Sequence, residues 1–298
     1  MTRSGAKKPA SGRQTVGKRD EARPLFRRLP WFAWLLIGLA IAGVVVAVRV
    51  YPIGPPPPDS SGKPRAAIVD QLHTSALPNE AFVANVTREL EEYGFEVDLY
   101  QGDEITVDFY RDLAKRGHRL ILFRVHSGLV IENGEVLPRT LLFTNEEYSA
   151  TKYAWEQTFD RLGKGSAGEG EPMMFGITAD FITSRSMPGE FDDTVIIMMG
   201  CSALYYTDLA EAFVDRGASV YLGWHGSVVL NYVDEATPYL IEQLCSLNVT
   251  IKEAVDSTME VVGLDPSFRA ELRYHPPEQG DKTLQELLQT VYDGEAES

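Results

Sequence analysis

The sequence predicts an α/β domain with a mostly parallel central sheet flanked by helices, preceded by one transmembrane helix. Three observations carry that reading. From Arg65 onward, short apolar runs alternate with stretches of helical periodicity, the rhythm of βαβ units. Val195 to Met199 is wholly apolar and Leu120 to Val125 nearly so, as expected of central strands covered on both faces. Trp31 to Val48 is an uncharged apolar run of 18 residues, which as a helix spans about 27 Å, near the hydrocarbon thickness of a bilayer.

Composition divides the chain ahead of the domain. Residues 1–30 hold nine Lys and Arg against Asp20 and Glu21 and show no periodicity, so a basic, disordered cytoplasmic tail is expected. Residues 31–51 are expected to cross the membrane, with Trp31 and Trp34 suiting one interface and Arg49 and Tyr51 the other. The basic flank keeps the N-terminus inside, so a single pass in the cell membrane would hold the domain outside. A cleaved signal peptide fits less well, because the basic region is long and no small-residue cleavage site precedes Pro52. Residues 52–64, with Pro55 to Pro58, read as a stiff spacer softened by Asp59 to Gly62.

The domain occupies 65–298. Ala66 to Leu72 is a first strand and Asn79 to Tyr93 a helix closed by Gly94. Phe95 to Tyr100 is a strand, Val107 to Arg116 a helix closed by Gly117, and Arg119 to Val125 the third strand. The rhythm then breaks. Leu129 to Thr144 reads as a hairpin turning at Asn133-Gly134. Ser149 to Leu162 reads as an amphipathic helix, 163–171 as a flexible loop, and Phe175 to Ser184 as a strand passing into a helical turn. After Cys201 the alternation resumes, with a helix over Thr207 to Arg216, a strand over Ala218 to Gly223 and helices over Val233 to Leu247 and Ile251 to Val262. A short edge strand, Leu272 to His275, and a last amphipathic helix, Thr283 to Tyr292, complete the pattern.

Charge narrows the partners. Residues 50–298 hold 18 basic and 41 acidic residues, a net −23, which opposes binding to nucleic acid or to an anionic membrane surface. Only Cys201 and Cys245 are present, so there is no disulfide framework and no zinc spacing. Cys245 shares an apolar helical stripe with Ile241 and Leu244, which favours a buried free thiol over a bridge to Cys201.

The chemistry gathers at two strand ends. Leu120 to Val125 leads into His126, Ser127 and Gly128, while Val195 to Met199 leads through Gly200 to Cys201. Ligands of open α/β sheets bind outside the carboxyl ends of strands, so a thiol and an imidazole delivered there suggest a nucleophile and its base. His225, in Trp224-His225-Gly226, is a rival base. Arg124 sits inside a buried strand and needs a partner. It either pairs with Asp70 or lines a pocket for an acidic substrate side chain, and Trp224 is placed with it as a substrate-binding residue.

A hydrophobic strand ending in His and Gly, then one ending in a small residue and Cys, resembles the caspase-like cysteine peptidases of clan CD. That group holds caspases, metacaspases, legumains, gingipains, separases and the CHAT domains. Leu209 to Phe213 and Gly217 to Gly223 are similar to the CHAT-type helix and following strand. The resemblance spans roughly Arg65 to Thr258, and one departure is Ser127, which stands where the family has Gly directly after His. It implies a cysteine endopeptidase acting on a protein or peptide, with Cys201 as nucleophile and His126 as base. The oxyanion would be met by the N–H of Ser127 or Gly128 together with that of Cys201. No metal or other cofactor is required. The alternatives are a catalytically silent, membrane-tethered scaffold of the same fold, or an unrelated α/β domain sharing only the topology.

Overall fold

Apolar residues that alternate in facing along each strand dictate a sheet with two buried faces. The computed structural model describes residues 62–289, save Ser75, Ala76, Asn133 and Glu169. All of these belong to the second of the chain's two units, Pro55–Ser298. The expected basic tail, the membrane-crossing run and all but the end of the Pro-rich spacer lie outside the described residues, among which no helix is long and apolar enough to cross a membrane.

Strands β1 (Arg65–Asp70), β2 (Glu96–Gln101), β3 (His118–Arg124), β8 (Val195–Met198), β9 (Val220–Trp224) and β10 (Leu272–His275) form one sheet in the order β10-β9-β8-β3-β1-β2. Every neighbouring pair is parallel except β9 and β10. Ala66, Ile68, Leu120, Leu122, Val195 and Ile197 pack under α1 (Glu80–Tyr93), α6 (Leu230–Leu244) and α7 (Ile251–Val262). Their neighbours Ala67, Val69, Ile121, Phe123, Ile196 and Met198 face α2 (Val107–Leu113), α4 (Ala179–Thr183) and α5 (Asp208–Val214). Each Val, Leu, Ile, Phe or Met among them, fully buried, stabilises the fold by about 1.5–3 kcal/mol. The expected mixed α/β class, with a mostly parallel sheet between helical layers, is the architecture observed.

Local signals set the helix ends. Asn79 caps α1 by accepting the Phe82 N–H at 3.0 Å. Thr250 and Glu253 close a reciprocal capping box at α7. Two expected helices are shorter than their periodicity, because α2 tightens into a 3₁₀ turn at Ala114–Arg116 and α5 ends at Val214. Helix α6 begins three residues earlier than expected, at Leu230.

The insertion between β3 and β8 forms a second, antiparallel sheet, β4 (Ser127–Glu132), β5 (Glu135–Glu147), β7 (Met174–Ile177) and β6 (Leu162–Gly165), in the order β4-β5-β7-β6. The hairpin forms where expected, with Gly134 at φ 84° and Asn133 outside the described residues. The helix expected over Ser149 to Leu162 does not form. Only α3 (Ala154–Thr158) is helical, bounded by Tyr153 and Asp160, both at φ 54°. Leu162 instead starts β6, and a Cβ at Gly163, Gly165 or Gly176 would run into Leu141 or Phe143. These glycines let β6 and β7 lie flat on bulky side chains of β5, and that contact overrides the helical periodicity. The last helix, α8 (Leu284–Gln289), covers the described part of the one expected to Tyr292.

Candidate active site

Strands β3 and β8 are parallel neighbours in register, with Phe123 opposite Met198. The pairing runs one step further, because Met199 N–H donates to Phe123 C=O at 2.9 Å. From the Phe123–Met198 pair each chain continues three residues, one to His126 and the other to Cys201. Both line a single cavity of about 220 Å3. Ser127 stitches the two strand ends together. Its hydroxyl donates to Cys201 C=O at 2.7 Å. Its side chain lies on Gly200, where a Cβ would overlap Ser127 Oγ and sit 2.9 Å from Val125 C=O. Glycine is required there by space.

The main chain of His126 is held from two sides. Its N–H donates to Gln71 Oε1 at 2.8 Å, and its C=O accepts from Phe143 N–H at 3.0 Å. Gln71 is itself held by Asn145, to which its amide donates at 2.6 Å. Among the described residues no hydrogen bond engages either ring nitrogen of His126. His126 also borders a second cavity of about 280 Å3 with Asp103, Phe143 and Asn145.

The sulfur of Cys201 accepts the Val228 N–H at 3.5 Å and lies 3.7 Å from Val228 C=O. That loop is positioned by buried Asp265, which accepts Val229 N–H at 2.8 Å and the N–H groups of Ser267 and Phe268 at 2.8 and 2.7 Å. Burial pushes the Cys201 thiol above its ordinary pKa; the Val228 N–H opposes this and the charge of Asp265 adds to it. Burial pushes the His126 imidazole down, and Arg124 reinforces the shift. At neutral pH the resting state is therefore a thiol and a free-base imidazole, not an ion pair. Such an imidazole is in the right form to take a proton as sulfur attacks.

The ladder distinguishes the two candidate oxyanion donors. The bond from Phe143 N–H to His126 C=O makes Ser127 and Leu142 a non-hydrogen-bonded pair, so the Gly128 N–H turns inward to Leu141. The Ser127 N–H points away from β5. Of the two, only Ser127 keeps its donor out of the sheet.

Arg124 is 1% exposed, and each of its three side-chain nitrogens donates a hydrogen bond. Its Nη1 donates to Asp70 at 2.8 Å, its Nε and Nη2 fork onto Asp234 at 2.8 and 2.9 Å, and Nη2 also reaches Leu77 C=O at 3.0 Å. Burial opposes its charge, but the Asp234 and Asp70 hydrogen bonds win and its pKa is raised. The alternative in which it pairs with Asp70 is the one observed, although the side chain also borders the cavity. Trp224 is 2% exposed, packs on Tyr232 in the core and is not among the residues lining the cavity. His225 accepts the Glu271 N–H at 3.0 Å through Nδ1, on the side of β10. Cys245 is free, like Cys201, and lies at the far end of α6. It borders a larger cavity of about 590 Å3 in which no histidine takes part, and burial with Glu89 pushes its thiol up to about 12. Size alone would favour that cavity; chemistry favours the smaller one.

Sequence reading missed Gln71, Val228, Asp234 and Asp265. Asp70 inside a strand signalled a buried ion pair, but nothing local marked Asp234 as its second acid. Among the described residues no group of three or more His, Cys, Asp or Glu is arranged to hold a metal ion. No family model matches the chain, and no curated protein matches it.

Proposed function

We propose that the domain is a caspase-like cysteine endopeptidase, held outside the cell membrane by its N-terminal apolar run. The observation that supports this most directly is the in-register β3–β8 pair, from which His126 and Cys201 reach one cavity. In the proposed reaction Cys201 Sγ attacks the substrate carbonyl carbon while His126 takes the thiol proton. The N–H groups of Ser127 and Cys201 meet the oxyanion; loss of one such donor typically slows a reaction by about 10²–10³-fold. The tetrahedral adduct collapses, the C–N bond breaks, and His126 passes its proton to the departing amine. Water then attacks the thioester, giving its proton to His126, which returns it to the sulfur. The net −23 of residues 50–298 makes proteins or peptides, not nucleic acids, the fitting substrates.

Alkylation of the full-length protein by iodoacetamide tests the dyad. At pH 8, Cys201 should react far faster than Cys245, whose thiol near 12 keeps its thiolate fraction small. His126→Ala should slow Cys201 and His225→Ala should not. A second reading, the silent scaffold, is favoured by the sulfur's contacts with Val228 and its raised pKa. Equal labelling of both cysteines, indifferent to His126, would decide for it. Protease added to intact cells should digest residues 50–298 and spare the basic tail; the reverse pattern overturns the proposed topology.

A further inference from the structure

The cavity that touches both Cys201 and His126 is walled mainly by apolar side chains, among them Leu72, Leu77, Met199, Leu230 and Val233. Besides His126, the ionisable group on its wall is Arg124, and each of the three guanidinium nitrogens already donates, to Asp70, Asp234 or the Leu77 carbonyl. Two carboxylates against one guanidinium leave the cluster at a formal −1. An acidic side chain entering here would meet a guanidinium already shared by two carboxylates, and an opposing net charge.

A basic side chain fares no better. The Asp70 and Asp234 side chains are 0% and 8% exposed, neither lines the cavity, and Asp234 also accepts the Asn79 amide at 2.8 Å. An ammonium or guanidinium would be stripped of water against a wall offering no carboxylate oxygen. Size points the same way. At about 220 Å3 the cavity is smaller than the roughly 300–1,000 Å3 of pockets for whole small ligands, and larger than the roughly 150 Å3 that holds a benzene ring. It fits one branched aliphatic or aromatic side chain.

We infer that this cavity receives the side chain of the residue whose carbonyl Cys201 attacks, and that it selects an apolar residue such as Leu, Met or Phe. The inference rests on the proposed dyad, because only the acyl half of the substrate remains bonded to sulfur beside these walls. Arg124 then shapes the subsite without reading charge.

Peptidyl acyloxymethyl ketones differing only in their last residue (Gly, Leu, Phe, Asp or Lys) would be reacted with the full-length protein. The rate of Cys201 adduct formation is read by intact mass and peptide mapping. Leu and Phe should exceed Asp and Lys by about tenfold or more, the scale of apolar-pocket discrimination. Leu230→Trp, which fills the cavity, should cut the Leu-to-Gly rate ratio about tenfold. Leu77→Glu, at a position 40% exposed and so tolerant of substitution, should raise the Lys-to-Leu ratio. Asp or Lys reacting as fast as Leu overturns the inference, as does an unchanged ranking in both variants. If iodoacetamide still labels Cys201 in a His126-dependent way, the subsite alone falls. If His126→Ala leaves that labelling unchanged, the dyad falls and takes the subsite with it.

Discussion

Arg124 and His126 lie two residues apart at one strand end and are treated oppositely by the fold. The guanidinium, itself buried, meets two carboxylates and a carbonyl in a cluster joining β1, β3, α6 and the segment before α1. His126 is hydrogen-bonded through its main chain only, its ring tilts against that of Phe143, and the residue lines two cavities. The first arrangement commits every guanidinium nitrogen to structure; the second leaves the ring nitrogens without a hydrogen bond among the described residues. A polar group can be buried for stability only when its partners are complete, and can take part in chemistry only when they are not.

That contrast predicts unequal consequences of mutation. Arg124→Ala strands two acids and should cost about 3–5 kcal/mol in urea unfolding, the scale for breaking a buried pair. His126→Ala should cost about 1 kcal/mol or less, as for changes that break no bonded network. Similar losses at both positions would erase the distinction.

The opposite end of β3 sharpens it further. His118 is buried against Asp98 at 2.9 Å, and burial, outweighing that acid, lowers its pKa to about 4. The unfolded imidazole titrates near 6.5, so between those values the unfolded chain binds more protons and stability falls as pH drops. The loss attributable to His118 should total roughly 3 kcal/mol by pH 4. His126, also depressed, adds to the loss in the same direction once pH falls below about 6.5. Urea midpoints at pH 6.5 and 4 should show a shallower decline for His118→Gln than for the parent chain.

Smaller effects should come from the stitch between the strand ends. Gly200→Ala forces a Cβ onto Ser127 and the Val125 carbonyl and should cost about 1–3 kcal/mol, as overpacking does. Ser127→Ala loses one hydrogen bond to Cys201 C=O, worth about 1 kcal/mol. Because its N–H remains, it should slow Cys201 labelling less than His126→Ala does. A reversed order would point to the hydroxyl, not the imidazole, as the group that activates the thiol.

Much of the scaffold was legible before the structure. Strand-like runs marked all six strands of the large sheet, and Asn79 and Gly94 marked the two ends of α1. The same window reasoning failed over Ser149 to Leu162, where helical periodicity was real but glycines further along the chain allowed a strand to pack on Leu141 and Phe143. At the site, the pairing of His126 with Cys201 could be expected from two strand ends. The occupation of Arg124 could be expected only in part, since Asp234 lies 110 residues away on a helix.

By itself the sequence determined the class of fold, the facing of each strand residue and the two polar groups brought to one sheet edge. Those depend on periodicity, propensity and burial, which short stretches of chain carry. Tertiary structure alone decided that every side-chain nitrogen of Arg124 is engaged by Asp70, Asp234 or Leu77, that Ser127 rather than Gly128 keeps its N–H outside the ladder, and that the cavity beside Cys201 is apolar. Each depends on the register between segments far apart in sequence, where one step along a strand turns every N–H and side chain to the other side.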